Sequence, residues 1–440
     1  MKPVNLGILG LGTVGGGTVN VLSRNAHEIT RRAGRDIHIL QAAARDLNRQ
    51  RICDVSNIDL TEDPYAVVDN PDIDVVVELI GGVSLAKELV LRALDNGKHV
   101  VTANKALIAV HGNEIFAKAS DKGVIVAFEA AVAGGIPIIK ALREGLSGNQ
   151  IEWLAGIING TGNYILTGMR DRGADFETML AQAQQLGYAE ADPAFDVEGV
   201  DAAHKLTILA AIAFGVPLQF DKCYQEGITQ ITQDDVIYAE ELGYRIKHLG
   251  IAKRREQGIE LRVHPTLIPE RRLIANVDDV MNAVLVKGDA VGSTLYYGAG
   301  AGADATASAV VADIVDVVRV LTVDPENRVP HLAFQADALS NLPILPMEEV
   351  ETSYYLRMHA VDRPGVLADT TRILADHDIS IEAIVQKEAT PGSEQVPVIM
   401  LTHRTMEGNM NQAIIAIEGL ASIQGSVKRI RLEHLNREDG

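Results

Sequence analysis

Between residues 187 and 205 the chain reads GYAEADPAFDVEGVDAAHK. Five carboxylates, Glu190, Asp192, Asp196, Glu198 and Asp201, precede a single lysine, Lys205, and the following run from Leu206 to Phe220 carries no charge. Such crowding suits either a solvated loop or a pocket for an amine, because an ammonium withdrawn from water needs carboxylate partners and hydrogen bonds. Asp201 and Lys205 are four residues apart, so on a helix they share one face. An ammonium placed there can also serve as a proton donor. The uncharged run behind the pair favours a buried helix over an exposed ion pair. A second candidate amine is Lys105, in VVTANKALIA. It follows a strand at the end where ligands of open α/β sheets gather.

These groups need a scaffold, and the first 130 residues predict one. Apolar runs at 4–9, 37–43, 74–79, 99–103 and 124–128 alternate with helical patterns, which means βαβ units and a parallel sheet. The first strand runs into GLGTVG, comprising Gly10, Leu11, Gly12, Thr13, Val14 and Gly15, and a helix opens there. Such a loop turns tightly at its first glycine, lets backbone approach a pyrophosphate at its second and packs helix on strand at its third. The anion rests on the helix N-terminus. The second strand ends AAAR, with Arg45 where an NAD enzyme usually places an acid and Asp46 next. Arginine can grip a 2′-phosphate, so the reading leans to NADP and leaves NAD open; a plain surface arginine is the alternative.

Beyond residue 130 the pattern loosens into an α+β region with strands at 258–268 and 283–288. A glycine-rich turn at 296–303 leads into an apolar helix. Four prolines between 322 and 350 mark a connector, and residues 353–433 show a β-α-β-β-α-β pattern. The net charge of -19 argues against nucleic acid and anionic membrane surfaces as partners. No apolar run is long enough to span a membrane and no signal peptide opens the chain, so the expected compartment is the cytoplasm. Cys53 and Cys223 have neither disulfide-framework nor metal-ligand spacing.

Taken together, GLGTVG, VVTANKALIA, NGTGNYIL (159–166), GAGAGADATASAV and the spacing from Ala183 through Gly187, Asp192-Pro193, Asp196, Gly199 and Asp201 to Lys205 resemble homoserine dehydrogenase over residues 1–320. The tail, with DRPGVLADTTRILADHDISI, resembles an ACT regulatory domain of ferredoxin-like fold. The resemblance implies a Rossmann-type doubly wound sheet over 1–130 with about 300–321, and a substrate-binding and dimerisation domain over 131–299. A connector (322–350) and an ACT domain (351–440) follow. It implies a monofunctional enzyme interconverting L-aspartate 4-semialdehyde and L-homoserine, on the route to threonine, methionine and isoleucine.

The residue roles follow from the same resemblance. Glu190 and Asp201 would hold the substrate's ammonium with support from Asp196, and Thr161 and Asn163 would line its site. Lys105 would lie between cofactor and substrate, with Lys205 as general acid and base. Ile80, Gly81, Gly187 and Gly302 would lie against the cofactor. Carbonyls of Glu129, Val132, Gly134 and Ile136 would wrap a structural monovalent cation such as sodium. ACT domains pair edge to edge and bind amino acids at the shared face, so threonine would be the feedback effector of a homodimer or homotetramer, with Gly365 and residues near Asp378 contributing. Deletion beyond about residue 350 should leave an active, insensitive enzyme if the connector is a true boundary. Two competing readings are an aldehyde dehydrogenase with a cysteine thioester and a non-catalytic dinucleotide and amino-acid sensor.

Overall fold

The five apolar runs of the first 130 residues and one short segment form six parallel strands: β1 (Val4–Leu9), β2 (Ile37–Ala43), β3 (Asp59–Thr61), β4 (Val75–Glu78), β5 (His99–Thr102) and β6 (Val126–Ala127). They lie in the order 3-2-1-4-5-6 of a Rossmann sheet. β3 is absent from the sequence expectation because DLT is three residues long and has no apolar run. The structure is a computed structural model describing residues 2–387 and 395–435. Parts of the regulatory span expected at 351–440, namely 388–394 and 436–440, lie outside the described residues.

The chain divides into two compact units. The first contains Met1–Gly160, Asp201–Asp221 and Val280–Leu342. Here the Rossmann sheet is covered by helix Thr13–Arg24 and by the returning helix Ala303–Val320, which share one apolar core. A side chain at Gly17 would strike the Ala303 carbonyl at 2.6 Å, so the glycine sets how closely these helices approach. Three antiparallel strands complete the unit: β7 (Ile151–Ile157), β11 (Met281–Gly288) and β12 (Gly292–Ala299), with β11 in the middle. The glycine-rich turn expected at 296–303 is partly the end of β12. Helix Val200–Phe214 is buried at every residue from Asp201 to Phe214, as the uncharged run predicts.

The second unit contains Thr161–Val200, Lys222–Asp279 and Pro343–Gly440. Its strands are β8 (Tyr224–Gln225), β9 (Tyr244–Arg254), β10 (Ile259–Pro269), β13 (Glu351–Val361), β14 (Ile381–Gln386), β15 (Gln395–Thr402), β16 (Thr405–Met406) and β17 (Ile423–Leu432). The last part has the expected β-α-β-β-α-β pattern, with β17-β13-β15-β14 side by side and a core formed by Tyr354, Leu356, Met400, Met410 and their neighbours. This part does not stand apart behind the connector. β17 hydrogen-bonds in parallel to β10, with Thr266 opposite Arg431 and Leu267 opposite Leu432. Among the described residues, no helix is long and apolar enough to cross a membrane.

Candidate active site

The three residues expected to perform the chemistry meet within the first unit. Helix Val200–Phe214 presents Asp201 and Lys205 one turn apart. Lys205 Nζ donates to Asp201 Oδ2 at 2.7 Å and to the Ile158 carbonyl at 2.7 Å. Lys105 opens helix Lys105–Asp121 directly after β5, and its Nζ lies 2.8 Å from Asp201 Oδ1. Asn159 Nδ2 donates to Asp201 Oδ2 at 2.8 Å. One carboxylate thus carries an ammonium on each oxygen. Burial opposes its ionisation, but Lys205 and Lys105 outweigh burial and hold the Asp201 carboxyl well below the usual range. Side-chain exposure grades the set at 3% for Asp201, 11% for Lys205 and 35% for Lys105, so Lys105 is the most open to an incoming molecule.

Sequence reasoning assigned no role to Ile158 or Asn159. Asn159 heads the NGTGNYIL motif and could have been found there. The Ile158 carbonyl leaves no trace in a sequence. His204, the residue before Lys205, stacks on Phe220 with ring centroids 4.1 Å apart, and burial pushes its pKa down to about 4. It packs as a neutral ring.

The other carboxylates of the opening stretch belong to the second unit and serve different ends. Asp192 accepts the Ala194 N–H at 3.2 Å, starting the short helix Ala194–Val197, which holds the half-buried Asp196. Glu198 accepts from the Thr229 hydroxyl at 3.3 Å. Glu190 is exposed. Thr161 donates to the Tyr188 carbonyl at 2.6 Å. Asn163 is buried and donates to the carbonyls of Val277 and Asp279, both at 2.9 Å, while Lys247 Nζ donates to its Oδ1 at 3.2 Å. Those bonds clamp the 277–279 turn, so Asn163 has a structural duty that its assignment to substrate did not foresee. Gly187 has a left-handed φ of 74° and closes helix Phe176–Gln185, its N–H donating to the Gln184 carbonyl.

The glycine loop fits a dinucleotide. A side chain at Gly15 would collide with the Gly10 carbonyl at 2.0 Å, whereas one at Gly12 would meet nothing within 4 Å. That open space at the helix start is where a pyrophosphate approaches backbone. Leu11, Thr13 and Val14 continue the loop into the helix, and Gly302 starts helix Ala303–Val320 in the same unit. Arg45 is exposed past the end of β2, and the Asp46 carboxylate accepts the Asn48 N–H at 2.9 Å in a local turn. Ile80 and Gly81 follow β4 at the carboxyl edge of the sheet.

The 129–136 loop contains the consecutive left-handed residues Ala133 (φ 54°) and Gly134 (φ 45°). The first is a strained position for a residue with a side chain. The Glu129 carboxylate accepts the N–H groups of Ile139 and Lys140, and its own N–H donates to Asp313 at 2.7 Å. The Ile136 carbonyl already accepts from Ile138 N–H at 2.8 Å, and that of Glu129 from Val132 N–H at 3.3 Å.

At the other end of the chain, Gly365 precedes helix Val366–Asp376 and Asp378 follows it. Eleven residues of helix separate them by about 16 Å. One threonine cannot touch both in a single chain. Asp378 itself has a left-handed φ of 58°, and the next N–H, from Ile379, donates back to the Leu374 carbonyl. This closes the helix. The cysteines move away from nucleophile chemistry: burial pushes the Cys223 thiol up to about 12 and raises that of Cys53.

Comparison with known proteins gives one answer over nearly the whole chain. Residues 10–129 match the homoserine dehydrogenase NAD binding domain, 137–315 the homoserine dehydrogenase family, and 354–419 the ACT domain. The chain is similar to a homoserine dehydrogenase of Pseudomonas aeruginosa, 68% identical over 99% of this chain and 100% of the relative. One from Neisseria gonorrhoeae is 56% identical with the same coverage. The crystal structure of a homoserine dehydrogenase from Thiobacillus denitrificans superposes with a TM-score of 0.94 at 67% identity, covering 99% of each chain.

Proposed function

The chain belongs to the homoserine dehydrogenase family, oxidoreductases with a dinucleotide-binding domain, and on that premise we propose that it reduces L-aspartate 4-semialdehyde reversibly to L-homoserine with NADPH. Hydride from the nicotinamide attacks the aldehyde carbon, and negative charge grows on its oxygen. Lys205 delivers the proton, and Lys105 stabilises the same oxygen from its more open position. Asp201 keeps both amines cationic and in place. The observation carrying this reading is the single buried carboxylate spanned by two ammonium groups at 2.7 and 2.8 Å. The assignments of Glu190, Asp196, Thr161, Asn163 and Gly187 to substrate or cofactor rest on the resemblance alone. We assign the dinucleotide to 1–130 with 300–321, substrate to 131–299 and regulation to 351–440.

NADPH is preferred over NADH in this reading because Arg45 stands where an acid would select NAD, and Asp46 is engaged by Asn48. The test is the disappearance of NADPH absorbance with aspartate semialdehyde. Turnover with this aldehyde, little with other small aldehydes and a lower KM for NADPH than for NADH are the expected results. Binding of NADPH without turnover would replace the enzyme reading by that of a sensor.

The carbonyls of Glu129, Val132, Gly134 and Ile136 are proposed to hold a monovalent cation, supported by the left-handed pair at Ala133 and Gly134. Bound, it would only brace the loop. We further assign threonine to the ACT region, with Gly365 of one copy and Asp378 of another forming each site, since one chain cannot supply both. Titration with threonine should inhibit at millimolar concentrations; a flat response would reduce the region to a structural role.

A further inference from the structure

Glu78 ends β4 with no exposed surface, at the carboxyl edge of the parallel sheet. Its Oε1 accepts the N–H of Ile80 at 3.0 Å, and the backbone of Gly81 also hydrogen-bonds to the carboxylate. Its Oε2 accepts the Thr102 hydroxyl at 2.6 Å. Thr102 Oγ1 accepts in turn the N–H of Asn104 at 3.0 Å. Asn104 then joins the two segments: its Nδ2 donates to the Gly82 carbonyl at 2.6 Å, and its Oδ1 caps the next helix on the Leu107 N–H at 3.1 Å. The following residue is Lys105. β4 is otherwise three valines, and a fourth apolar residue would suit the core without the cost of burying a carboxylate. Burial does push the Glu78 pKa up, while the surrounding hydrogen bonds oppose that rise.

We propose that Glu78, acting through Thr102, is a positioning residue that holds the 80–82 loop and the Asn104–Lys105 turn in one register, so that hydride donor and Lys105 ammonium meet the carbonyl together. The inference rests on the reading above, in which the 80–82 loop touches cofactor and Lys105 the reacting oxygen. A misplacement of about 1 Å in such a constellation can cost on the order of 10²-fold in rate.

Thr102→Val keeps the branched shape and removes only the hydroxyl link; Thr102→Ser keeps the link. Thr102→Val should lower kcat by about 10- to 100-fold with little change in KM, and Thr102→Ser should restore most of it. Glu78→Gln should lower kcat and also weaken NADPH binding, because the 80–82 loop loses its anchor. The double variant should be no worse than Glu78→Gln alone, since the two residues act in one chain. Wild-type kcat in Thr102→Val would overturn the proposal, as would a loss that Thr102→Ser shares and that follows the melting temperature. Lys105→Ala, assayed alongside, separates the two levels. Full activity there sinks the reading of Lys105 itself, whereas an inactive Lys105→Ala beside a fully active Thr102→Val sinks only the role of Glu78.

Discussion

Lys205→Met should lose turnover by roughly 10²–10⁴-fold, the span a positioned general acid supplies, which corresponds to about 3–5 kcal/mol of transition-state stabilisation. Methionine keeps the length and apolar stem of the side chain, so the packing of helix Val200–Phe214 survives. What disappears is the ammonium that now donates to Asp201 and to the Ile158 carbonyl. Asp201 would retain Lys105 at 2.8 Å and Asn159 at 2.8 Å, so its carboxylate is not stranded. NADPH binding, followed by quenching of protein fluorescence or by calorimetry, should be unchanged, because the glycine loop and Arg45 are untouched. Loss confined to kcat with intact cofactor binding is the signature of a missing proton donor. Turnover within tenfold of wild type would transfer the acid role to Lys105. Parallel loss of NADPH binding would point instead to a collapsed site.

How much of this could be read beforehand depended on whether a feature left its mark in side-chain type. The parallel βαβ sheet follows from strand–helix alternation and one glycine loop, though not its third strand, and helix Val200–Phe214 announced its burial through an uncharged run. The Asp201–Lys205 pair was legible as spacing. Their third partner, Lys105, lies almost a hundred residues earlier, and only the fold brings it to the second oxygen of the same carboxylate. Backbone groups were invisible: the Ile158 carbonyl that holds Lys205 could belong to any residue. Asn163 shows a related gap. Its motif carries no sign that its amide also spans the carbonyls of Val277 and Asp279. Long-range pairing was the other gap. Nothing in the sequence of β17 says that it will join β10, because an apolar alternating strand is compatible with many neighbours.

That pairing reverses an expectation about truncation. A chain ending at residue 350 should be insoluble or melt far below the full-length protein, rather than remain active and insensitive. β10 is buried along its whole length, and it carries Glu260, Arg262 and His264 inside. Arg262 is held by Glu260 at 2.9 Å and by Glu433 just past the end of β17, and Lys253 reaches the same Glu433 at 2.8 Å. Arg357 of β13 likewise anchors on Asp235 at 2.6 Å. Cutting at 350 removes Glu433 and Arg357 together, leaving Arg262, Lys253 and Asp235 short of charge partners on faces built for burial. A point change isolates the effect: Glu433→Ala leaves two buried cations undercompensated, a loss of about 3–5 kcal/mol, from a total that is typically about 5–15 kcal/mol.

The pH dependence has a definite sign. Burial would raise the Glu433 pKa, but Lys253 and Arg262 overcome it and hold the carboxyl well below its ordinary 4.5. Its folded value therefore lies beneath the unfolded one, so its stabilisation is complete above about pH 4.5 and drains away on acidification below it. Thermal melts of wild type and Glu433→Ala should differ most near neutral pH and converge as the pH falls below that range. Equal melting temperatures at pH 7, or a soluble and active 1–350 fragment, would mean that the buried junction between β10 and β17 contributes nothing to holding the second unit together.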